Sequence, residues 1–184
     1  MERIDNCLNI FKNLMVVSVA DDLITKLHVQ NPDGVTPSVL LAFLSSIKEK
    51  PEVLTEATVE SVLLMCSSHY TGVLLGFNNI KRAVYVFSNY TKDQYYALYL
   101  YCDKRYRGIL SSSELISALR RINIGLTERA CASMLEDYTQ EIAANKGITY
   151  RTFMQVLVKC IIFRRQFLDA LEGDKNLTYI RIKR

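Results

Sequence analysis

Apolar residues recur at helical spacing along most of the chain. The longest stretch, residues 152–172, places apolar side chains at i, i+3, i+4 and i+7 on one stripe, with Lys159 outside it. Shorter stripes of the same kind occupy residues 39–47 and 115–122. Gly173 is a residue at which the long helix is expected to end. The pattern predicts an all-α fold.

Polar residues in front of several stripes predict where helices begin. Residues 91–94 and 111–114 each fit a capping box, in which an N-terminal hydroxyl and a side chain three positions later bond to the first backbone amides. Thr127, followed by Glu128, predicts a third helix start.

A glycine followed by apolar or β-branched residues recurs between the predicted helices. Successive copies are 36 to 39 residues apart and begin at Gly34, Gly72, Gly108 and Gly147. A weaker fifth copy follows Gly173, with a last short strand expected at residues 177–180. The repeat predicts paired helix-loop-helix units with short loop strands.

The loop at residues 103–114 has the frame of a calcium-binding EF-hand loop. Asp103 and Glu114 stand at its first and last positions, Ser111 stands where a ligand often acts through water, and Ile109 would supply a carbonyl. These residues form a candidate calcium site.

Arg105 and Arg107 stand where two further oxygen ligands are expected. A like-charge pair at short range costs about 4 kcal/mol at an effective dielectric constant of 20, so calcium binding should be weak or absent. One hypothesis is that a guanidinium replaces the metal and bridges Asp103 and Glu114. Alternatively, both arginines point to solvent and Glu114 only caps the next helix. The other four loops lack a closing acid.

The chain resembles the penta-EF-hand family, which includes the calpain small subunit, sorcin and the programmed-cell-death adaptors. The resemblance rests on these loops, on the predicted helix at residues 152–172 and on the segment 124–130. The resemblance begins at about residue 23 and implies one domain of five degenerate units. Their approximate bounds are 23–47, 58–88, 91–122, 127–163 and 152–184. Residues 1–22 form an apolar, helical-looking extension where the family has a Gly/Pro-rich tail.

The resemblance also implies a dimer. Fifth units of the family pair between subunits, which predicts a homodimer or a heterodimer through the fifth unit of this chain. The interface residues expected on this basis are Phe163, Phe167, Leu177, Tyr179 and Ile180.

Tyrosines near basic residues form a second candidate surface, at Tyr95, Tyr96 and Tyr99. Such residues either stack on nucleic acid or line a peptide-binding surface. Because clefts near the central helices of the resembling family receive peptides, we expect a protein partner here rather than nucleic acid. Basic pairs such as Arg120-Arg121 are expected on solvated helix surfaces.

The remaining residues argue against catalysis and against a cofactor. Five cysteines without a C-x-x-C pair are typical of reduced thiols, and no apolar run is long enough to span a bilayer, so we expect a cytoplasmic protein. His28 and His69 have no sequence context for a catalytic triad, and Cys66 with His69 makes too small a set for zinc.

These inferences predict a non-catalytic interaction or scaffold subunit with weak or absent calcium binding. One alternative is a calcium-responsive adaptor that uses the third loop. Another is a basic nucleic-acid or ribonucleoprotein accessory factor, suggested by a net charge of +4. A third is the regulatory subunit of a calpain-like protease, which requires a catalytic partner.

Overall fold

The computed structural model describes residues 21–47, 54–67, 69–122, 124 and 127–182. The predicted N-terminal extension lies outside this part of the chain except for residues 21 and 22, which are helical. The described residues are helical throughout, apart from loops, turns and two isolated β-bridges. The all-α prediction is therefore confirmed.

Helices follow one another with short connections. The first, α1, is described over residues 21–30. The others are α2 (Pro37–Ile47), α3 (Glu56–Cys66), α4 (Phe77–Ser88), α5 (Gln94–Cys102), α6 (Ser112–Arg121), α7 (Glu128–Glu136), α8 (Thr139–Asn145) and α9 (Tyr150–Ile182).

Two antiparallel bridges join the loops in pairs. Val35, between α1 and α2, pairs with Leu74, between α3 and α4. Leu110, between α5 and α6, pairs with Ile148, just before α9. All four residues are buried, so each bridge places an apolar side chain from both loops in the core. The glycine repeat therefore marks loops that meet in space, in pairs of helix-loop-helix units.

Side-chain caps explain several helix starts. Thr127 accepts a hydrogen bond from the amide of Ala130 at the start of α7, and Ser111 with Glu114 forms the complete capping box of α6. Both predictions are confirmed. The cap predicted at Thr91 is wrong, because Asp93 caps α5 by accepting bonds from the amides of Tyr95 and Tyr96. The negative charge of a carboxylate at this position also interacts favourably with the positive end of the helix dipole.

The C-terminal part of the chain differs from its prediction. The backbone stays helical from Tyr150 to Ile182, so neither the helix end at Gly173 nor the short strand at residues 177–180 forms. One glycine inside a helix costs only about 1 kcal/mol, which the surrounding helical residues outweigh. The long fourth loop contains the additional helix α8.

Residues 161–170 of α9 lie outside the core. Phe153, Val156, Leu157 and Cys160 are buried, whereas every residue from 161 to 170 is exposed. Large apolar side chains on this exposed part are Ile161, Ile162, Phe163, Phe167 and Leu168. None of the described helices is both long and apolar enough to cross a membrane.

Candidate functional site

The loop between α5 and α6 is organised around the carboxylate of Asp103, whose side chain is buried. Its Oδ1 accepts a hydrogen bond from the backbone amide of Arg105 at 3.2 Å. Its Oδ2 accepts bonds from the amide of Gly108 at 2.6 Å and from the hydroxyl of Tyr85 at 3.2 Å. Asp103 therefore holds the loop closed through main-chain donors and ties it to α4.

Glu114 supports the other end of the same loop. Its Oε1 accepts a bond from the amide of Lys104 at 3.0 Å. Its Oε2 accepts bonds from both the amide and the hydroxyl of Ser111, each at 2.8 Å. A single carboxylate thus caps α6 and holds the start of the loop ten residues earlier.

The environments of the two carboxyl groups shift their pKa values in opposite directions. Burial raises the pKa of Asp103, although the hydrogen bonds from Gly108, Arg105 and Tyr85 partly oppose it. Burial also favours the neutral form of Glu114, but the Ser111 and Lys104 hydrogen bonds, with the charge of Arg107, bring its pKa below the usual range. The loop therefore favours the ionised form of Glu114, whereas the surroundings of Asp103 disfavour its ionised form.

This arrangement does not fit the requirements of a calcium site. Calcium takes six to eight oxygen ligands, usually including a bidentate Glu at the last loop position. Both oxygens of Glu114 are instead directed at amides of Lys104 and Ser111, and those of Asp103 also accept bonds. In the described part of the chain, no three His, Cys, Asp or Glu side chains form a group that could hold a metal.

The two arginines of the loop do not bridge its carboxylates. Arg105 contacts Asp103 through its backbone amide, and its side chain is exposed. Arg107 is close enough to lower the pKa of Glu114, yet its Nε is buried without a hydrogen-bond partner among the described residues. Main-chain amides and the Tyr85 hydroxyl occupy the role that one of the two hypotheses gave to a guanidinium.

Tyr99 is a core residue rather than part of an exposed partner surface. Its side chain is 1% exposed, and its hydroxyl lies 2.7 Å from the carbonyl oxygen of Gly108 and 2.9 Å from that of Ile148. The ring packs against Tyr96, Tyr150 and Phe153, with centroids 5.4 to 6.1 Å away. The expected tyrosine surface is thus reduced to exposed Tyr95 and half-buried Tyr96.

A cation-π cluster that sequence reasoning missed joins α3, α4, α5 and α6. The guanidinium carbons of Arg82 and Arg121 lie 5.1 and 5.3 Å from the ring centroid of buried Tyr101. Arg121 also donates to the carbonyl oxygen of Cys66 at the end of α3. Arg121 was expected on a solvated surface, because sequence spacing does not reveal a tyrosine that packs from another helix.

An open groove of about 440 Å³ runs beside residues 157–169 of α9. Apolar residues of three segments line it, namely Tyr95, Ile122, Ile124, Leu157, Ile161 and Leu168. Arg164, Arg165 and Asp169 supply its charged lining. Of the expected surface tyrosines, Tyr95 therefore lies at a concave apolar site.

The predicted dimer residues fall on α9. Phe163 and Phe167 are 45% and 58% exposed, which leaves both available to a partner. Leu177, Tyr179 and Ile180 lie in the helical backbone of α9, and their side chains are outside the described part of the structure.

The four thiols in the described part of the chain are buried. Cys66, Cys102, Cys131 and Cys160 are buried and not in disulfides. Burial raises the pKa of Cys102 to about 11 and that of Cys160 to about 12, which disfavours the reactive thiolate.

Comparison of the chain with family models, curated proteins and solved structures gave no match. The penta-EF-hand resemblance therefore depends on the loops and helices of the chain itself.

Proposed function

We propose that the chain is a non-catalytic protein-interaction subunit of EF-hand type whose third loop keeps its shape without calcium. The observation that carries this proposal is the engagement of all four carboxylate oxygens of Asp103 and Glu114. Five of the six donors come from the loop itself, and Tyr85 is the sixth. A loop closed in this way needs no ion to hold α5 and α6 in place.

The pairing of the loops supports the EF-hand assignment. EF-hand units pair through a short antiparallel contact between their loops, as Val35 does with Leu74 and Leu110 with Ile148. Each contact follows a glycine of the repeat. The four units α1–α2, α3–α4, α5–α6 and α7–α9 would thus form two pairs.

The continuous helix α9 alters the expected dimer. Because residues 177–180 are helical, an unpaired loop strand cannot provide the contact between subunits. The exposed apolar side chains of α9 offer an alternative contact, and Phe163 and Phe167 lie one turn apart on the same side. We therefore favour a helix-to-helix contact between two copies of the chain.

Size is the main requirement for such a contact. Stable interfaces bury about 800 Å² on each partner, with a core of large apolar side chains. The six large apolar residues of α9 that stay roughly half exposed are Val158, Ile161, Ile162, Phe163, Phe167 and Leu168. Of these, Phe163 and Phe167 share one side of α9, whereas Ile161 and Leu168 line the groove, so the proposed contact is centred on the two phenylalanines.

Light scattering tests the proposal by measuring the molar mass of the full chain, first in excess chelator and then in millimolar calcium. The proposal predicts a dimer of the same mass in both buffers. Replacing Phe163 and Phe167 by Glu should give a folded monomer, whereas the matched change Gln166→Glu should leave the dimer intact. A monomer that dimerises only with calcium would support the calcium-responsive adaptor and contradict the proposal.

A further inference from the structure

Three sulfur atoms meet between α7 and α9. The thiol of Cys160 donates a hydrogen bond to the thioether sulfur of Met134 at 3.2 Å. The thiols of Cys160 and Cys131 also form a hydrogen bond with each other. Cys131 and Met134 are three residues apart on α7, so one turn of that helix presents both sulfurs to α9. We call Cys131, Met134 and Cys160 the sulfur cluster.

The sulfur cluster is shielded from water on most sides. Cys131 and Cys160 are 2% and 0% exposed, whereas Met134 is half-buried. Met134 is thus the member of the cluster that solvent reaches. Because a methionine side chain has three rotatable bonds, it can move aside without a change in the backbone of α7. An ion can therefore reach the two thiols past Met134.

The chemistry of the sulfur cluster selects among metals. Cysteine and methionine sulfurs are soft ligands, which bind Cu(I), zinc and iron–sulfur clusters. Structural zinc sites take four ligands from Cys, His and carboxylates, and iron–sulfur clusters take four Cys or two Cys with two His. Among the described residues, no third His, Cys, Asp or Glu joins the two cysteines. Two cysteines and one methionine therefore fit Cu(I) better than zinc or iron.

The spacing of the sulfurs is also close to that of a three-ligand site. Metal–sulfur bonds of about 2.3 Å, arranged in a trigonal plane, place the ligands about 4 Å apart. The 3.2 Å between the sulfurs of Cys160 and Met134 must therefore lengthen by less than about 1 Å. Rotation about the side-chain bonds of Met134 can supply this change.

We propose that the sulfur cluster binds one Cu(I) ion through the sulfurs of Cys131, Cys160 and Met134. Each cysteine that binds releases its thiol proton to solvent, the ion keeps its oxidation state, and the thioether exchanges the hydrogen bond from Cys160 for the metal. The bound ion joins α7 to α9 immediately before the exposed residues 161–170. The site is separate from the contact centred on Phe163 and Phe167, whose side chains are exposed.

Competition with a chromophoric Cu(I) chelator tests the proposal on the full, reduced chain in oxygen-free buffer. The wild type should take one Cu(I) ion per chain from the chelator. Loss of an outer-shell partner alone typically weakens metal binding 10- to 100-fold, so loss of a ligand in Met134→Leu should weaken it by at least about tenfold. Met154→Leu is the matched control, because Met154 is also half-buried but is not part of the sulfur cluster. Its affinity for Cu(I) should equal that of the wild type.

A second pair of variants separates the sulfur cluster from the other thiols. Cys160→Ala should remove the tight Cu(I) site, whereas Cys102→Ala, at another buried thiol, should keep it. Circular dichroism of each variant reports whether its helices are intact. Equal losses of affinity in the two variants would assign the copper to other cysteines and overturn the proposal.

X-ray absorption at the copper edge gives a test that needs no variant to fold. In the unmutated chain labelled with selenomethionine and loaded with one equivalent of Cu(I), copper should have one selenium and two sulfur neighbours. A copper ion without a selenium neighbour would overturn the proposal. So would a chain that takes no Cu(I) from the chelator, or equal affinities of Met134→Leu and Met154→Leu.

Discussion

Leu110 and Ile148 exchange two backbone hydrogen bonds, from the amide of Leu110 at 2.9 Å and from the amide of Ile148 at 2.8 Å. Residues far apart in sequence are thereby held side by side at the centre of the C-terminal half. The carbonyl of Ile148 also accepts a bond from the Tyr99 hydroxyl. The bridge and the Tyr99 hydroxyl therefore act together to fix how the two loops meet.

Tyr99→Phe removes the hydroxyl that lies between the carbonyls of Gly108 and Ile148. Losing this buried hydrogen bond should lower the free energy of unfolding by about 1 kcal/mol, while the Ile148 carbonyl keeps its bond from the Leu110 amide. Urea unfolding measures this, with Tyr95→Phe as the control, because Tyr95 is exposed and should change stability by less than about 0.5 kcal/mol. Equal effects of the two substitutions would show that the shared hydroxyl contributes nothing.

Glu114→Gln should lower stability by about 1 to 2 kcal/mol at neutral pH, because an amide cannot accept bonds at both of its terminal atoms. The pKa of Glu114 is lowered in the folded protein, so its charged form stabilises the fold above its ordinary pKa. That contribution is lost as pH falls through the folded pKa.

The difference between wild type and Glu114→Gln should therefore shrink on acidification, and unfolding measured from neutral to acidic pH tests this. Glu136→Gln, at an exposed position, should show no such trend. Asp103→Asn should show the opposite trend, because burial raises the pKa of Asp103 and its ionisation costs stability as pH rises. A difference for Glu114→Gln that grows on acidification would contradict this description of the loop.

Replacing Arg105 and Arg107 together by Ala should change the free energy of unfolding by less than about 0.5 kcal/mol, since neither side chain bridges the carboxylates. Denaturant unfolding at moderate salt is the measurement. A decrease of more than about 1 kcal/mol in the free energy of unfolding would instead support a guanidinium bridge between Asp103 and Glu114.

Gly34 and Gly72 provide a matched pair for testing the first bridge. Both have positive φ, 113° and 95°, so alanine is strained at either position. A Cβ on Gly34 would lie 2.9 Å from Cβ of Val73, whereas one on Gly72 meets nothing within 4 Å. Gly34→Ala should therefore destabilise the protein by about 1 kcal/mol or more beyond Gly72→Ala. Thermal or urea unfolding measures both variants. Equal losses of stability in Gly34→Ala and Gly72→Ala would mean that the two loops can move apart at no cost in free energy.

Sequence periodicity predicted helices at residues 39–47, 115–122 and 152–172, and the glycine repeat predicted the loops, but neither predicted α8. The caps at Ser111 and Thr127 were also predictable, because they depend on residues close in sequence. The burial of Tyr99 and the contact of Arg121 with Tyr101 were not, because they depend on how helices pack. The helical continuation past Gly173 shows that one glycine is a weak signal of a helix end inside a long run of helix-forming residues.

The loop of the candidate site and its Ser111–Glu114 cap were predicted, whereas its other hydrogen bonds were not. The spacing of Asp103 and Glu114 located a loop with two inward carboxylates, whereas the donors proved to be amides and the Tyr85 hydroxyl. Backbone amides are present at every position, so a sequence cannot show which of them a carboxylate will accept from. The choice depends on the turn of the loop, which has Tyr106 and Gly108 at positive φ.

Calorimetric titration of the chelator-stripped full chain with calcium, to millimolar levels at near-physiological salt, tests the central claim most directly. The hydrogen-bonded loop predicts no saturable heat and no change in unfolding temperature on adding calcium. Heat that fits one site and disappears in Glu114→Gln would show that the loop reopens for calcium, and the account of a calcium-independent scaffold would be wrong.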